Sequence, residues 1–466
     1  MRRARHLTPA FATLAVLAGC ALPAPPQPVD YRGEALPAVQ VPGAWTAEGE
    51  AAVPVAAGWL ATFGDPQLDA LVAEAMSHNP DLRVAAARVA VAAEYVSLAD
   101  STLYPQVNLL ARGGGELSGD SSGLQGVGLF ADWELDLWGR LRSQRAATTA
   151  GYEATVADVE YARQSVAAMV ARSWFLAGEA TLQKRLAGEM LSSAEQLVML
   201  AEQRQRIGKG DGYDTALARA SAETFRDTIE KLELARQQAL RALESLVGRY
   251  PAAAIEVPPQ PAGPPAPVPA GLPSELLERR PDVVAADRRV AAAFYGVSEA
   301  KAARLPRIAL TASVNDISSD LFVLKDRDNP VWSAGASLLQ PIFHGGALQA
   351  QVRIRTAQQK QAVAEYGRIG ARAFAEVEDA LSSEFASGRR ATILARAVAE
   401  NEQALEFARQ RYRVGSGDLR AVSQQQLAAY GSRSALLRVQ TEQLVQRVNV
   451  HLAIGGAFDA TAAPVP

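Results

Sequence analysis

At 466 residues with 48% hydrophobic side chains, the chain has the length of two to four ordinary domains. Its 47 basic residues stand against 50 acidic ones, a formal charge of -3 without blocks of like charge, which excludes a nucleic-acid-binding surface as its organising feature. The single cysteine, Cys20, excludes an intrachain disulfide.

Residues 1–19 read as a signal peptide: Arg2, Arg3 and Arg5 precede a mostly apolar run from Leu7 to Val16, too short to span a bilayer as a helix. Cys20 closes Leu17-Ala18-Gly19-Cys20, which resembles the bacterial lipobox and implies an acylated, palmitate-bearing first residue of the mature protein. Ala21 in place of an aspartate resembles the sorting signal for the outer membrane. A Pro-rich N-terminal segment, 20–57, follows as a spacer for which no fold of its own is expected.

From there the chain is written twice. At an offset of 201, Pro80, Asp81, Arg88, Val89 and Pro105 match Pro281, Asp282, Arg289, Val290 and Pro306. At an offset of 207, Gly208, Gly210, Asp211 and Gly248 match Gly415, Gly417, Asp418 and Gly455. The repeats span 58–250 and 274–456, joined by a linker, 251–273, with nine prolines, and a tail covers 457–466.

Each repeat predicts the same order. An Ala-rich helix opens at Pro80 or Pro281. Two strands of roughly ten residues follow, in hairpins at about 105–138 and 306–343, each long enough to cross a bilayer as β-structure. A proline-free stretch then predicts a helix of roughly 100 Å, at about 140–207 and 346–414. After a glycine turn come shorter helices, at about 211–247 and 418–454. Apolar positions from Val156 to Leu200, mostly three, four or seven apart, make the first long helix a coiled-coil-like seam. Four strands cannot close a membrane barrel, so other chains must complete the sheet.

"GWLATFGDPQLDALVAEAMSHNPDLRVAAARV", "DWELDLWGRLR", "LLERRPDV" and "LQPIFHGGAL" resemble, in this order, the TolC-like outer-membrane factors, in the lipoprotein branch serving RND-type tripartite efflux systems. The resemblance covers the chain from Cys20 to about Gly456. It implies an α+β membrane protein: a homotrimer with a 12-stranded barrel in outer-membrane lipid, continued by a periplasmic α-helical barrel. The implied function is a passive exit duct for drugs and toxic compounds, without cofactor or catalysis, fed by an RND-type inner-membrane transporter and a periplasmic adaptor. Type I protein secretion and metal-ion efflux are alternatives for the same fold. A coiled-coil adaptor lipoprotein is a further alternative, opposed by the paired hairpins.

Enzymatic readings fare poorly. Gly119-Asp120-Ser121-Ser122-Gly123 fits a hydrolase motif but lies between expected strands, where a nucleophile elbow needs a strand and a helix. Gly208 to Gly212 lacks the ending of a phosphate loop, and His6, His78, His344 and His451 show no metal-ligand spacing. Trp133, Trp138 and Trp332 are expected at the membrane interface or the strand-to-helix junction.

In the resembling family the end bearing the glycine turns is the gate and the adaptor-facing surface. The residues carried over to that surface are Gly208, Lys209 and Gly210 with Gly415, Ser416 and Gly417. Counting from Gly415 puts Arg420 where the family has a constricting leucine and Gln424 where it has an aspartate, while Asp214 retains the first turn's aspartate. Three Arg420 side chains are expected to repel one another unless Asp418 or Asp214 pairs with them, and neutral Gln424 is expected to bind multivalent cations poorly.

Overall fold

A computed structural model describes residues 22–47, 57–112, 125–258, 263, 268, 271, 273–318 and 331–459. Cys20 and the 119–123 motif lie outside them. The chain divides into two compact units, one of residues 1–38, 87–158 and 282–369 and the other of residues 39–86, 159–281 and 370–466.

Among the described residues the α-helices of eight residues or more are α1 (Pro28–Ala35), α2 (Pro66–His78), α3 (Pro80–Ser101), α4 (Arg140–Arg206), α5 (Gly212–Leu246), α6 (Pro281–Ala302), α7 (Ala347–Val414) and α8 (Leu419–Ala453). Proline begins four of them, at a position whose missing N–H costs the helix nothing. For α2, Asp65 accepts hydrogen bonds from the amides of Gln67 and Leu68 at 3.0 and 3.1 Å. For α3, Asn79 Oδ1 accepts from Asp81 and Leu82. With 67 and 68 residues, α4 and α7 are each about 100 Å long.

The first unit holds one antiparallel sheet, ordered β1 (Gln106–Arg112), β2 (Gln125–Leu135), β3 (Arg307–Ser318) and β4 (Val331–Leu339). The two hairpins are thus fused through β2 and β3 over eleven residue pairs, from Gln125 opposite Ser318 to Leu135 opposite Ile308. Strand β2 stops at Leu135, short of the expected end at 138, because Asp136 turns its carboxylate onto the amides of Leu141 and Arg142 and so begins α4.

The core of the second unit gathers Trp59 and Phe63, Leu68 and Leu71 of α2, Val166, Val170 and Trp174 of α4, and Leu243 and Val448 of the shorter helices. Trp174 donates its indole N–H to Asp65 at 2.7 Å, tying the α2 cap to the long helix. The predicted seam of α4 is buried at Val166, Val170, Leu182, Leu186, Met190 and Leu197.

The N-terminal segment corrects the expectation of a spacer without fold. In the first unit α1 buries Tyr31, whose hydroxyl donates to Asp287 and whose ring meets Tyr366 edge-on. In the second, Trp45 donates to the Gly271 carbonyl, and Glu378 accepts from the amides of Thr46 and Ala47 at 2.8 and 2.7 Å. These partners lie hundreds of residues away, so composition gave no sign of them.

Candidate functional site

The sheet register sorts side chains by face, since directly opposed residues of neighbouring strands point to the same side. On one face Val107 opposes Ala131 and Leu109 opposes Leu129, which opposes Val314, which opposes Trp332. Trp133, Leu310 and Ala336 form a second such row, and Leu135, Ile308 and Leu338 a third. The other face is mostly polar, with Asn108, Asp132, Glu134, Thr311, Ser313, Asn315 and Ser333, but it also carries Leu110, Phe130 and Leu339. There Asn315 donates to Ser313 at 2.9 Å, and the Ser313 and Ser333 hydroxyls share a hydrogen bond of 2.7 Å. The apolar face is uncovered in the single chain: Leu109 is 68% exposed and Trp332 74%. Among the described residues, strands β1 and β4 each leave one edge unpaired.

The strand-to-helix junction is held by indoles and by ion pairs, Arg142 with Asp136 at 3.1 Å among them. Trp133 donates to the Leu103 carbonyl at 2.9 Å and Trp138 to that of Pro306 at 2.7 Å, while Arg140 grips Glu134 through two hydrogen bonds. Leu22, two residues beyond Cys20, lies so close to Gly139 that a β-carbon there would stand 2.9 Å from its Cδ2.

The twin turns have one backbone. Gly208 and Gly415 take left-handed conformations, φ 72° and 83°, that a side chain would strain. Lys209 N–H reaches the Arg204 carbonyl and Ser416 N–H that of Arg411, both at 2.9 Å, closing the ends of α4 and α7 alike. One residue beyond Gly210 and Gly417, Asp211 and Asp418 cap α5 and α8 through the amides of Asp214 and Ala421. Below the turns Leu197, Ala201, Ala218, Leu405, Tyr412, Leu419 and Val422 form a shared core.

The side chains differ. Arg204 places its guanidinium 4.5 Å from the centre of the Tyr412 ring and donates to the Tyr412 carbonyl. The Tyr412 hydroxyl donates to Asp214 at 3.3 Å; burial and then that carboxylate raise it above the usual tyrosine range. Arg420 donates to the Tyr213 hydroxyl at 2.8 Å and lies 5.9 Å from its ring. Neither expected acid is its hydrogen-bonding partner, since Asp418 serves as the α8 cap and Asp214 receives Tyr412. Gln424 is exposed. Arg204, Tyr213 and Tyr412 escaped the sequence reading; the match of Arg204 with Arg411, each four residues before its glycine, was the available signal.

Among the described residues no helix is long and apolar enough to cross a membrane, and no group of His, Cys, Asp or Glu could hold a metal ion. Neither fact bears on a β-barrel.

Known proteins decide the family. The model of the outer membrane efflux protein family matches residues 71–249 and 272–456. The chain belongs to this family. The family's curated relatives include the cation efflux system protein CusC of Escherichia coli O6:H1, 31% identical over 403 residues, 85% of this chain and 87% of the relative. The pyoverdine export outer membrane protein OpmQ of Pseudomonas aeruginosa is 28% identical, with the same shares covered. Among solved structures, the outer-membrane channel OprN matches with a TM-score of 0.80 and 26% identity over 91% of this chain and 99% of that one. The open state of the Neisseria gonorrhoeae MtrE outer membrane channel matches with 0.78 and 27%, over 95% and 99%. This member of the outer membrane efflux protein family has the fold of those channels and acts at the outer membrane as an efflux channel.

Proposed function

We propose that three copies close their four-stranded sheets into a 12-stranded barrel and serve as the passive outer-membrane duct of a tripartite pump. The observation that carries this reading is the sheet itself, with one apolar face, one mostly polar face and, among the described residues, two open edges. In hydrocarbon an open edge leaves backbone groups unsatisfied at several kcal/mol each, so edge pairing between copies is the physical remedy. Apolar side chains then meet lipid and polar ones line the duct. The helices that follow the strands carry the duct into the periplasm. A periplasmic adaptor meets the twin turns around Gly208–Gly210 and Gly415–Gly417, and an RND-type inner-membrane transporter supplies the energy and the cargo.

Cys20 anchors the chain by its acyl groups. The position of Leu22 beside Gly139, next to the strand-to-helix junction, supports this, because an anchor must sit at the membrane boundary. The cargo is small molecules. Likeness does not narrow it further: relatives named for cations, pyoverdine and solvents match at 31%, 28% and 29% identity.

Detergent extraction of outer membranes followed by native mass measurement tests the reading. Three chains are expected, each carrying the mass of a lipid modification that Cys20→Ala abolishes. A soluble monomer of unmodified mass would sink it.

A further inference from the structure

The whole chain carries a net charge of -3, yet residues 204–214 and 411–420 hold six basic side chains against three acidic ones. Elsewhere on the long and short helices many arginines have carboxylate partners, among them Arg219 with Glu202, Arg226 with Glu195, Arg390 with Glu442 and Arg433 with Glu402, although exposed Arg241, Arg353 and Arg396 form no ion pair among the described residues. At the turns none of the six basic side chains has such a partner among the described residues. Arg204 and Arg420 bind carbonyl, ring and hydroxyl groups. Arg206, Lys209, Arg411 and Arg413 are exposed, and none forms an ion pair among the described residues. The three acids do not answer them, because Asp211 and Asp418 face backbone amides and Asp214 receives Tyr412.

From this we infer that the turn end of the duct selects for anionic solutes. The inference rests on the proposed duct, whose periplasmic mouth the turns would surround. Six basic against three acidic side chains leave a net +3 per chain, so three copies bring a net charge of +9 to that mouth. At 0.1 M salt their field reaches about 10 Å, enough to raise the local concentration of anions and deplete cations across a narrow entrance. Cargo bearing carboxylate, sulfonate or phosphate groups therefore enters more readily than its cationic counterpart.

Reversal potentials of the full-length lipidated protein in planar bilayers under a KCl gradient test it. The wild-type chain is expected to pass chloride in preference to potassium, and to lose that preference in 1 M salt, where screening shortens the field to about 3 Å. In R206Q/K209Q/R411Q/R413Q the preference should disappear, and the four corresponding glutamates should invert it. These side chains are exposed, so the trimer mass and melting midpoint should stay unchanged, which separates a charge effect from misfolding. A reversal potential indifferent to all eight substitutions overturns the inference while leaving the duct standing. So does loss of binding to a Glu-rich helical-hairpin peptide without any change in selectivity, which would assign the cations to an acidic protein partner. A membrane-inserted wild-type protein without conductance would sink the duct reading, and this inference with it.

Discussion

Leu246 ends the short helix of the first repeat and Ala453 that of the second, 207 residues on, and each carbonyl is met from outside by a different donor. In the first repeat the donor is the Asn79 amide at 2.8 Å; in the second it is the Arg280 guanidinium at 3.1 Å. Two residues earlier the substitution is greater still. Glu244 is buried and accepts from the amides of Ala253, Ala254 and Ile255, whereas its counterpart His451 stacks on Trp59 with ring centres 5.4 Å apart. The backbone that follows is nonetheless the same: Gly248 and Gly455 have φ of 81° and 72°, and the next amide reaches back to residue 244 or 451 at 2.8 or 2.9 Å. The duplicated fold thus holds its backbone demands fixed, while the polar groups that satisfy them are interchangeable.

Removing those groups should expose the difference most strongly at Arg280. Its side chain is 1% exposed and pairs with Glu376 at 2.7 Å as well as capping Ala453. Arg280→Met leaves a buried carbonyl without this donor and Glu376, among the described residues, with only Arg372, and is expected to cost about 3 kcal/mol. Asn79→Ala removes only neutral hydrogen bonds, the α3 cap and the bond to Leu246, and should cost about 2 kcal/mol. Denaturant unfolding of the two variants in parallel checks this; equal costs would mean that charge adds nothing to the second cap.

How much of this was legible in the sequence depends on how local each demand is. Gly208 and Gly415 need left-handed φ, and Asp211 and Asp418 must cap the next helix, so both turns could be read from single residues. The strands and long helices were equally readable, since alternation and absence of proline act over a few neighbours. Helix α2 was missed: its Leu68, Leu71 and Val72 have meaning only against Val166 and Trp174, nearly a hundred residues away. The docked N-terminal segment failed for the same reason, because proline content says nothing of Asp287 or Glu378 as partners. At the turns the sequence supplied Arg420 but not Tyr213, 207 residues earlier, which takes its hydrogen bond, while Asp418 acts on Arg420 through its charge alone.

The shared glycines give the next test. Alanine at φ near +70 to +80° costs about 1 to 2 kcal/mol at either site. At Gly248 a β-carbon would also stand 2.6 Å from the His78 carbonyl oxygen, which is backbone and cannot step aside. At Gly455 the nearest atom is Arg280 Cγ at 3.1 Å. Gly248→Ala should therefore lower the melting midpoint more than Gly455→Ala, and the reverse order would mean that the His78 backbone yields.

His451 makes the repeats differ in their response to acid. Burial, and secondarily Arg447, push its imidazole down to about 3 from an ordinary 6.5. The unfolded chain then binds a proton that the folded chain refuses, so stability is complete above about pH 6.5 and falls as pH drops toward 3. Unfolding midpoints followed from pH 7 to 4 should decline less steeply in His451→Phe, which keeps a ring against Trp59 but cannot titrate.

The smallest effect is expected at the turns, where the repeats clasp differently. Gln205 and Tyr412 occupy equivalent positions. Gln205 accepts from Thr215 at 2.8 Å within its own turn, whereas Tyr412 donates to Asp214 of the other repeat at 3.3 Å. Thr215→Val removes the shorter bond from a buried hydroxyl and should cost about 1 kcal/mol. Tyr412→Phe removes a longer bond to a carboxylate that remains partly open to water, and the ring stays beneath Arg204. It should cost about 0.5 kcal/mol. Denaturant unfolding resolves the pair, and the order matters more than the sizes. A larger loss from Tyr412→Phe would mean that the bond between repeats, and not the clasp within one, holds the turns in place.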